Sequence, residues 1–195
     1  MQWVLKGSPA RLASYEQISY YKTTMTTTRR QIILIAHNLR STHNVGSLLR
    51  TAEGLGIERC YFTGYTPYPL AEHDERLPHL ARKIDRQIHK TALDAEQLMP
   101  WEHREDILAL LDELRAAGYT IAALEQTAGS VDLPSYQPPE KVAIILGREV
   151  EGVEPEVLEQ TDICLEIPMF GHKESFNVVQ AAAMALYHCR FAKTT

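Results

Sequence analysis

The sequence predicts an α/β domain built on a mainly parallel sheet with helices on both faces, and three observations predict it. Short β-branched apolar runs alternate with longer segments whose apolar residues recur at helical spacing. The runs are apolar without interruption, as strands buried on both faces must be. Parallel neighbours also need crossovers that pass over a sheet face, and the intervening segments are long enough to supply them. The chain has 195 residues, 45% of them hydrophobic and 23% charged, which suits one packed domain rather than two.

Residues 1–30 show no period, and the five Thr of Thr23–Thr28 followed by Arg29 and Arg30 read as an N-terminal leader to a domain of residues 31–195. Ile32–Ala36 predicts the first strand, and Gly46–Leu55, with Leu48, Leu49, Ala52 and Leu55 on one face, the first helix. Arg59–Thr63 predicts the second strand. The following GYTPYPLAEHDERLPHLARK carries Pro67, Pro69 and Pro78, which predicts a long functional loop rather than regular structure throughout. Arg104–Ala117 predicts a helix closed by Gly118 in a left-handed conformation. Tyr119–Leu124, Lys141–Leu146 and Asp162–Ile167 predict further strands, the last stopped by Pro168, and Ser175–Phe191 predicts an Ala-rich closing helix.

Composition excludes several classes. The three cysteines, Cys60, Cys164 and Cys189, are widely spaced and odd in number, which supports neither a disulfide framework nor a zinc site and fits a reducing cytoplasm. The eight histidines form no metal-ligand spacing, so no metal is expected. No apolar stretch approaches the roughly 18 residues of a membrane helix, and the start lacks the pattern of a secretory signal. Gly54-Leu-Gly56 lacks the third glycine of a dinucleotide fingerprint, and neither a P-loop nor a GxSxG elbow occurs. A net charge of −5 opposes indiscriminate binding to nucleic acid but leaves room for a local basic site.

Three clusters remain, each at the end of a predicted strand. In NLRSTHNVGSLLRTAEGLG, residues 38–56, Asn44 and Gly46 are placed at the turn and Arg50 one turn into the helix on the side of Gly46. A guanidinium beside a glycine-opened helix start can hold a phosphate, although Arg50 could equally pair with Glu53, and Asn44 could serve only as a cap. In ILGREVEGVEPEVL, residues 145–158, Gly147 and Gly152 bracket Glu149, which suits a loop passing close to a ligand or a plain turn into a helix begun by Pro155. In IPMFGHKESFNVVQAAAMALY, residues 167–187, Ser175 and Asn177 are available as caps, but Asn177 is expected inside the first helical turn, which hints at a contact elsewhere.

In this order and spacing the clusters resemble the three motifs of the SpoU/TrmH family of RNA ribose methyltransferases, members of the SPOUT class, over about residues 31–191. NVGSLLRTA, LGREVEG and IPMFGHKESFNV carry the resemblance, and HKTALDAEQLMPWEH and IAALEQT are similar to stretches of stand-alone members. The resemblance implies an α/β (trefoil) knot in the C-terminal part, S-adenosylmethionine as cofactor, tRNA or rRNA as partner, a homodimer, and methyl transfer to a ribose 2′-hydroxyl. It implies that Arg50 is the catalytic arginine, with Asn44, Glu149, Ser175 and Asn177 around it, and that the backbone near Leu124, Gly147, Ile167 and Phe176 holds the cofactor. Phe176 stands where Leu is commoner, and Val179-Gln180 replaces a small-residue pattern. The alternative is a catalytically silent RNA-binding or ribosome-assembly protein of the same fold, and a second rival is a base methyltransferase of the same class. The cations expected to hold RNA are Arg29, Arg30, Arg40, Arg82, Lys83, Arg86, Lys90 and Lys173, unless acids such as Glu72, Asp74, Glu75 and Asp85 offset them.

Overall fold

The structure, a computed structural model, describes residues 30–193. The expected leader therefore lies outside the described residues except for Arg30. The elements are β1 (Gln31–His37), α1 (Thr42–Leu55), β2 (Arg59–Thr63), α2 (Pro78–Ala92), α3 (Ala95–Leu98), β3 (Trp101–Arg104) and α4 (Ile107–Ala116). They continue with β4 (Thr120–Leu124), β5 (Val131–Asp132), β6 (Lys141–Leu146), α5 (Pro155–Leu158), β7 (Ile163–Glu166) and α6 (Val178–Phe191).

The strands form one seven-stranded sheet in the order β3-β2-β1-β6-β4-β7-β5, and every pairing is parallel. β1 lies in the interior of the sheet, beside the central strand β6, because its side chains are apolar on both faces. Ile32, Leu34 and Ala36 enter the core under α1, α2 and α6, while Ile33 and Ile35 enter the core under α4 and α5. Six-residue pairing with β6, from Gln31 opposite Lys141 to Ala36 opposite Leu146, fixes its register.

The longer helices start on local signals. Ser41 caps α1, its Oγ accepting from the Asn44 N–H at 3.2 Å, so Asn44 and Gly46 lie inside the helix rather than in the expected turn. Asp106 caps α4, accepting from the Ala109 N–H at 3.2 Å, which moves that helix beyond the expected start at Arg104 and frees Trp101–Arg104 to be an edge strand. Pro78 occupies the first turn of α2, where its missing N–H costs nothing. The expected long loop therefore ends there, and residues 78–92 are helical. What remains irregular, residues 64–77, is tied down by Arg76, which donates to Asp74, to the Tyr68 carbonyl at 2.9 Å and to the Pro69 carbonyl at 2.8 Å, and lies 3.6 Å above the Tyr68 ring. The Arg76 guanidinium holds the Asp74 carboxyl well below the usual carboxylate range.

Gly46 is a packing glycine. A Cβ there would lie 2.2 Å from the Ile88 carbonyl oxygen and 2.9 Å from the Ala92 nitrogen of α2, so the two helices meet backbone to backbone. This replaces the expectation that Gly46 opens the helix toward a ligand. At the other end of α1, Arg190 of α6 donates to the Leu55 carbonyl at 3.0 Å and the Gly56 carbonyl at 2.7 Å. Arg30 donates to the carbonyls of Pro138, Cys189 and Ala192 at 3.0, 3.3 and 2.6 Å. Its guanidinium closes the end of α6, so it is not the solvated RNA cation expected of it.

Candidate active site

β6, β4 and β7 are neighbours, and the loops leaving their carboxyl ends converge. In open parallel sheets such ends gather ligand sites, because side chains and backbone N–H groups from several crossovers face one crevice. Here they enclose a cleft of about 230 Å³ whose walls include Leu124, Leu165, Ile167, Met169 and Phe176. Five carboxylates line it, Glu125, Glu149, Glu151, Glu166 and Glu174, against Arg148.

The loop after β6 has little room to vary. A Cβ on Gly147 would lie 2.4 Å from the Gly152 carbonyl carbon and from the Val153 nitrogen. Arg148 and Gly152 exchange backbone hydrogen bonds of 3.0 and 3.2 Å, and Gly152 takes φ +72°. Glu125, just past β4, pins this hairpin: its Oε2 accepts from the Val153 N–H at 2.8 Å and its Oε1 from the Gln126 N–H at 3.0 Å. The first cluster reaches the same loop. Asn44 Nδ2 donates to Glu149 Oε1 at 3.2 Å, and Arg40 pairs with Glu151 at 3.5 Å across exposed surface.

Leu124, Gly147, Ile167, Phe176, Glu149 and Ser175 all line the cleft. Asn177 is the N-cap of α6, its Oδ1 accepting from the Val179 N–H at 2.9 Å, and does not lie inside the first turn as expected. The helix begins at Val178 because that cap, rather than Ser175, closes its first turn. Arg50 is exposed on α1 and makes no ion pair with Glu53 or any other of the described residues. Six residues separate it from Asn44, about 9 Å along the helix and roughly 240° around it. One copy of α1 therefore presents the two side chains on different faces.

Sequence reasoning missed a polar network beneath the cleft loop. His37, 6% exposed at the end of β1, has Nδ1 2.8 Å from Thr63 Oγ1 and Nε2 3.0 Å from Asn38 Nδ2. Asn38 Nδ2 also donates to Glu154 Oε1 at 2.7 Å, and Arg148 pairs with the same carboxylate. Because an amide nitrogen can only donate, Nε2 accepts and the proton of a neutral ring sits on Nδ1. The 3.2 Å approach of Nε2 to Glu154 Oε2 is then not a hydrogen bond, which agrees with that oxygen having no partner. The signal in the sequence was Asn38 itself, which adopts φ +55°, a conformation Asn tolerates better than most residues.

Burial holds the His37 imidazole below its ordinary value of 6.5, with Glu154 pulling the other way and Arg148 reinforcing burial. Burial would raise the Glu154 carboxyl, but the Asn38 amide, its own backbone N–H, His37 and Arg148 outweigh that and bring it below 4.5. Both shifts act in one direction. The unfolded chain takes up protons that the folded chain resists, so stability present at neutral pH is lost as pH falls below 6.5 for His37 and below 4.5 for Glu154. We expect the melting temperature to fall between roughly pH 7 and 5.5, and His37→Gln to flatten that slope. An equal slope in the variant would remove His37 as its cause.

The three cysteines are free, and burial pushes the Cys60 and Cys189 thiols up to about 12, which leaves neither a ready nucleophile. Among the described residues no helix is long and apolar enough to cross a membrane.

Residues 31–187 match the profile of the SpoU rRNA methylase family. The chain is 32% identical over 159 residues to a tRNA (guanosine(18)-2′-O)-methyltransferase of Mus musculus, with 80% of this chain and 9% of that protein aligned. It is 29% identical over 165 residues to a 23S rRNA (guanosine(2553)-2′-O)-methyltransferase of Bacillus subtilis, covering 84% of this chain and 59% of the relative. The chain thus spans about a tenth of the mouse protein and just over half of the bacterial one. In fold it is similar to the TrmH/SpoU tRNA modifying enzyme of A. aeolicus, with a TM-score of 0.68 at 20% identity over 91% of this chain and 83% of that one. An AdoMet-bound rRNA methyltransferase from Sinorhizobium meliloti gives 0.70 at 20% identity over 85% and 57% of the two chains. With the profile spanning every strand of the sheet and all three clusters, the chain belongs to the SpoU rRNA methylase family.

Proposed function

We propose that this chain is an S-adenosylmethionine-dependent RNA methyltransferase that modifies a ribose 2′-hydroxyl of tRNA or rRNA. The observation that carries the proposal is the cleft, in which family membership meets a donor set suited to that ligand. An adenine finds apolar walls in Leu124, Ile167 and Phe176, and a sulfonium and an ammonium group find five carboxylates. When bound, S-adenosylmethionine supplies an activated methyl group on sulfur.

The chain's own residues would align the acceptor and manage its charge. Asn44, held by Glu149, and Ser175 at the cleft wall orient the ribose. Arg50 clamps an RNA phosphate and stabilises the negative charge that develops on the 2′-oxygen; as the S–CH3 bond breaks and the O–CH3 bond forms, the hydroxyl proton passes to solvent. Asn177, with its oxygen committed to the cap, keeps its amide nitrogen for a donor role.

The separation of Asn44 and Arg50 around α1 favours a homodimer in which Arg50 serves the cleft of the second copy. The adjoining exposed rings of Tyr187 and Phe191, 4.6 Å apart on α6, offer an apolar patch for that contact. The reading includes a knotted path for the loops around the cleft, residues 31–195 as the methyltransferase domain with 1–30 as its leader, and a cytoplasmic location. Titration calorimetry with S-adenosylmethionine tests it against the silent RNA-binding alternative: one site per chain is expected, and no heat at millimolar ligand would favour the alternative.

RNA would be held by localised cations. Arg82, Lys83, Arg86 and Lys90 are exposed on α2 rather than in a loop, and none is in an ion pair among the described residues. Of the nearby acids, Asp74 is committed to Arg76, and Asp85 accepts from the Leu70 N–H at 2.9 Å. We expect the triple substitution Arg82→Ala, Lys83→Ala, Arg86→Ala to weaken RNA binding and reduce its salt slope by about 0.7 per lost phosphate contact on single strands. Cofactor affinity should not change, and an unaltered slope would place the RNA elsewhere.

A further inference from the structure

The structure assigns a second ligand site, unrelated to the cleft, to the turn between α2 and α3, where His89, Asp94 and Glu96 are placed to bind a divalent transition-metal ion of the zinc type. His89 lies in the last turn of α2; Leu93 ends that helix at φ +51°, and Asp94, at φ +73°, turns the chain back into α3. The reversal brings one ligand atom from each of the three side chains within 4.8 Å of the others. Only one histidine takes part, which is why no histidine spacing in the sequence signals the site.

A second observation points to a cation. The Glu96 side chain is only 8% exposed. Its Oε1 meets His89 Nδ1 at 2.6 Å, while its Oε2 is buried without a hydrogen-bond partner. A carboxylate withdrawn from water with one oxygen left without a donor carries uncompensated negative charge, which a cation held through Oε1 beside His89 Nδ1 would offset. The carbonyl end of α2 adds negative potential at the same place.

The donor set selects the ion. One imidazole and two carboxylates suit zinc and its neighbours, whereas magnesium and calcium take oxygen ligands alone. Around a tetrahedral zinc with bonds near 2.1 Å, ligand atoms sit roughly 3.4 Å apart. The 2.6 Å separation of His89 and Glu96 must then open and the 3.9 Å separation of His89 and Asp94 must close. His89 and Asp94 are 50% and 69% exposed, so both can move, and water completes the shell. Bound metal would fasten α2 to α3. Through the Trp101 Nε1 donation to the Glu96 carbonyl at 3.1 Å, it would also steady the edge strand β3.

The full chain, stripped with chelator and dialysed, should bind one equivalent of zinc chloride by calorimetry. Its melting temperature should rise with zinc and not with magnesium chloride. Cobalt(II) should give a visible spectrum without thiolate charge transfer. Glu96→Gln and His89→Ala should weaken zinc binding by more than the 10- to 100-fold typical of losing an outer-shell partner. Asp94→Asn, which keeps a residue that tolerates the left-handed backbone of this turn, should weaken it too while keeping the far-UV circular dichroism of the parent. No zinc binding by the parent chain, binding unchanged in all three variants, or a cobalt spectrum showing thiolate ligation would each overturn the assignment.

Discussion

Gly147→Ala is expected to cut S-adenosylmethionine affinity by at least about tenfold and to lower the melting temperature by roughly 2–12 °C, the range that 1–3 kcal/mol of overpacking implies for a chain of this size. The added Cβ would sit 2.4 Å from the Gly152 carbonyl carbon and the Val153 nitrogen and 2.6 Å from the Gly152 oxygen. All three are backbone atoms, so no side chain can swing aside. The hairpin must open instead, straining the paired hydrogen bonds of Arg148 and Gly152 and the Glu125 contact to Val153. Gly171→Ala is the control, since nothing lies within 4 Å of a Cβ at that position. Calorimetry and thermal unfolding of the two variants check this, and parent-like affinity in Gly147→Ala would show that the hairpin does not shape the cofactor site.

Arg50→Lys should leave the fold and S-adenosylmethionine affinity within about threefold of the parent while lowering kcat by about 100-fold or more, the loss typical of removing one group that stabilises a developing oxyanion. The fold is safe because Arg50 is exposed, and cofactor binding is safe because the proposal gives Arg50 to the RNA phosphate and acceptor oxygen, while the cofactor is held by Leu124, Gly147, Ile167 and Phe176 of the cleft wall. Lys keeps the charge but not the planar fork that can hold a phosphate and a ribose oxygen together. Single-turnover methyl transfer separates this from a binding defect. Near-normal turnover would remove Arg50 from the chemistry.

The central strands were legible because each is a continuous apolar run. β6 was expected over Lys141–Leu146 and occupies those residues, and β1, β2, β4 and β7 fall within a residue of expectation at each end. β3 escaped notice because its four residues, Trp101–Arg104, are half-buried at an edge and three of them are polar or charged. α2 escaped because Pro78 reads as a breaker until its place in the first turn is known. Six of the residues lining the cleft, Leu124, Gly147, Glu149, Ile167, Ser175 and Phe176, were legible through the joint resemblance of three clusters, none of which was decisive alone, whereas Glu125 and Glu166, at the ends of β4 and β7, were not. The His37–Asn38–Thr63–Glu154 network was not, since Asn38 and Glu154 lie 116 positions apart and meet only because β1 and β6 are neighbours. Gly46 and Asn177 show the limit of local reading: a glycine expected beside a ligand packs against a helix, and an asparagine expected inside a turn caps it.

The most direct test of the account is methyl transfer to RNA with its chemical position determined. The purified chain is incubated with S-adenosylmethionine carrying a labelled methyl group and total tRNA and rRNA from a strain lacking the gene, and the product is hydrolysed in alkali. The account predicts label in dinucleotides resistant to cleavage, because a methylated 2′-oxygen cannot attack the neighbouring phosphate. Label released in mononucleotides would indicate a base methyltransferase, and no incorporation into any RNA despite cofactor binding would contradict the proposed activity.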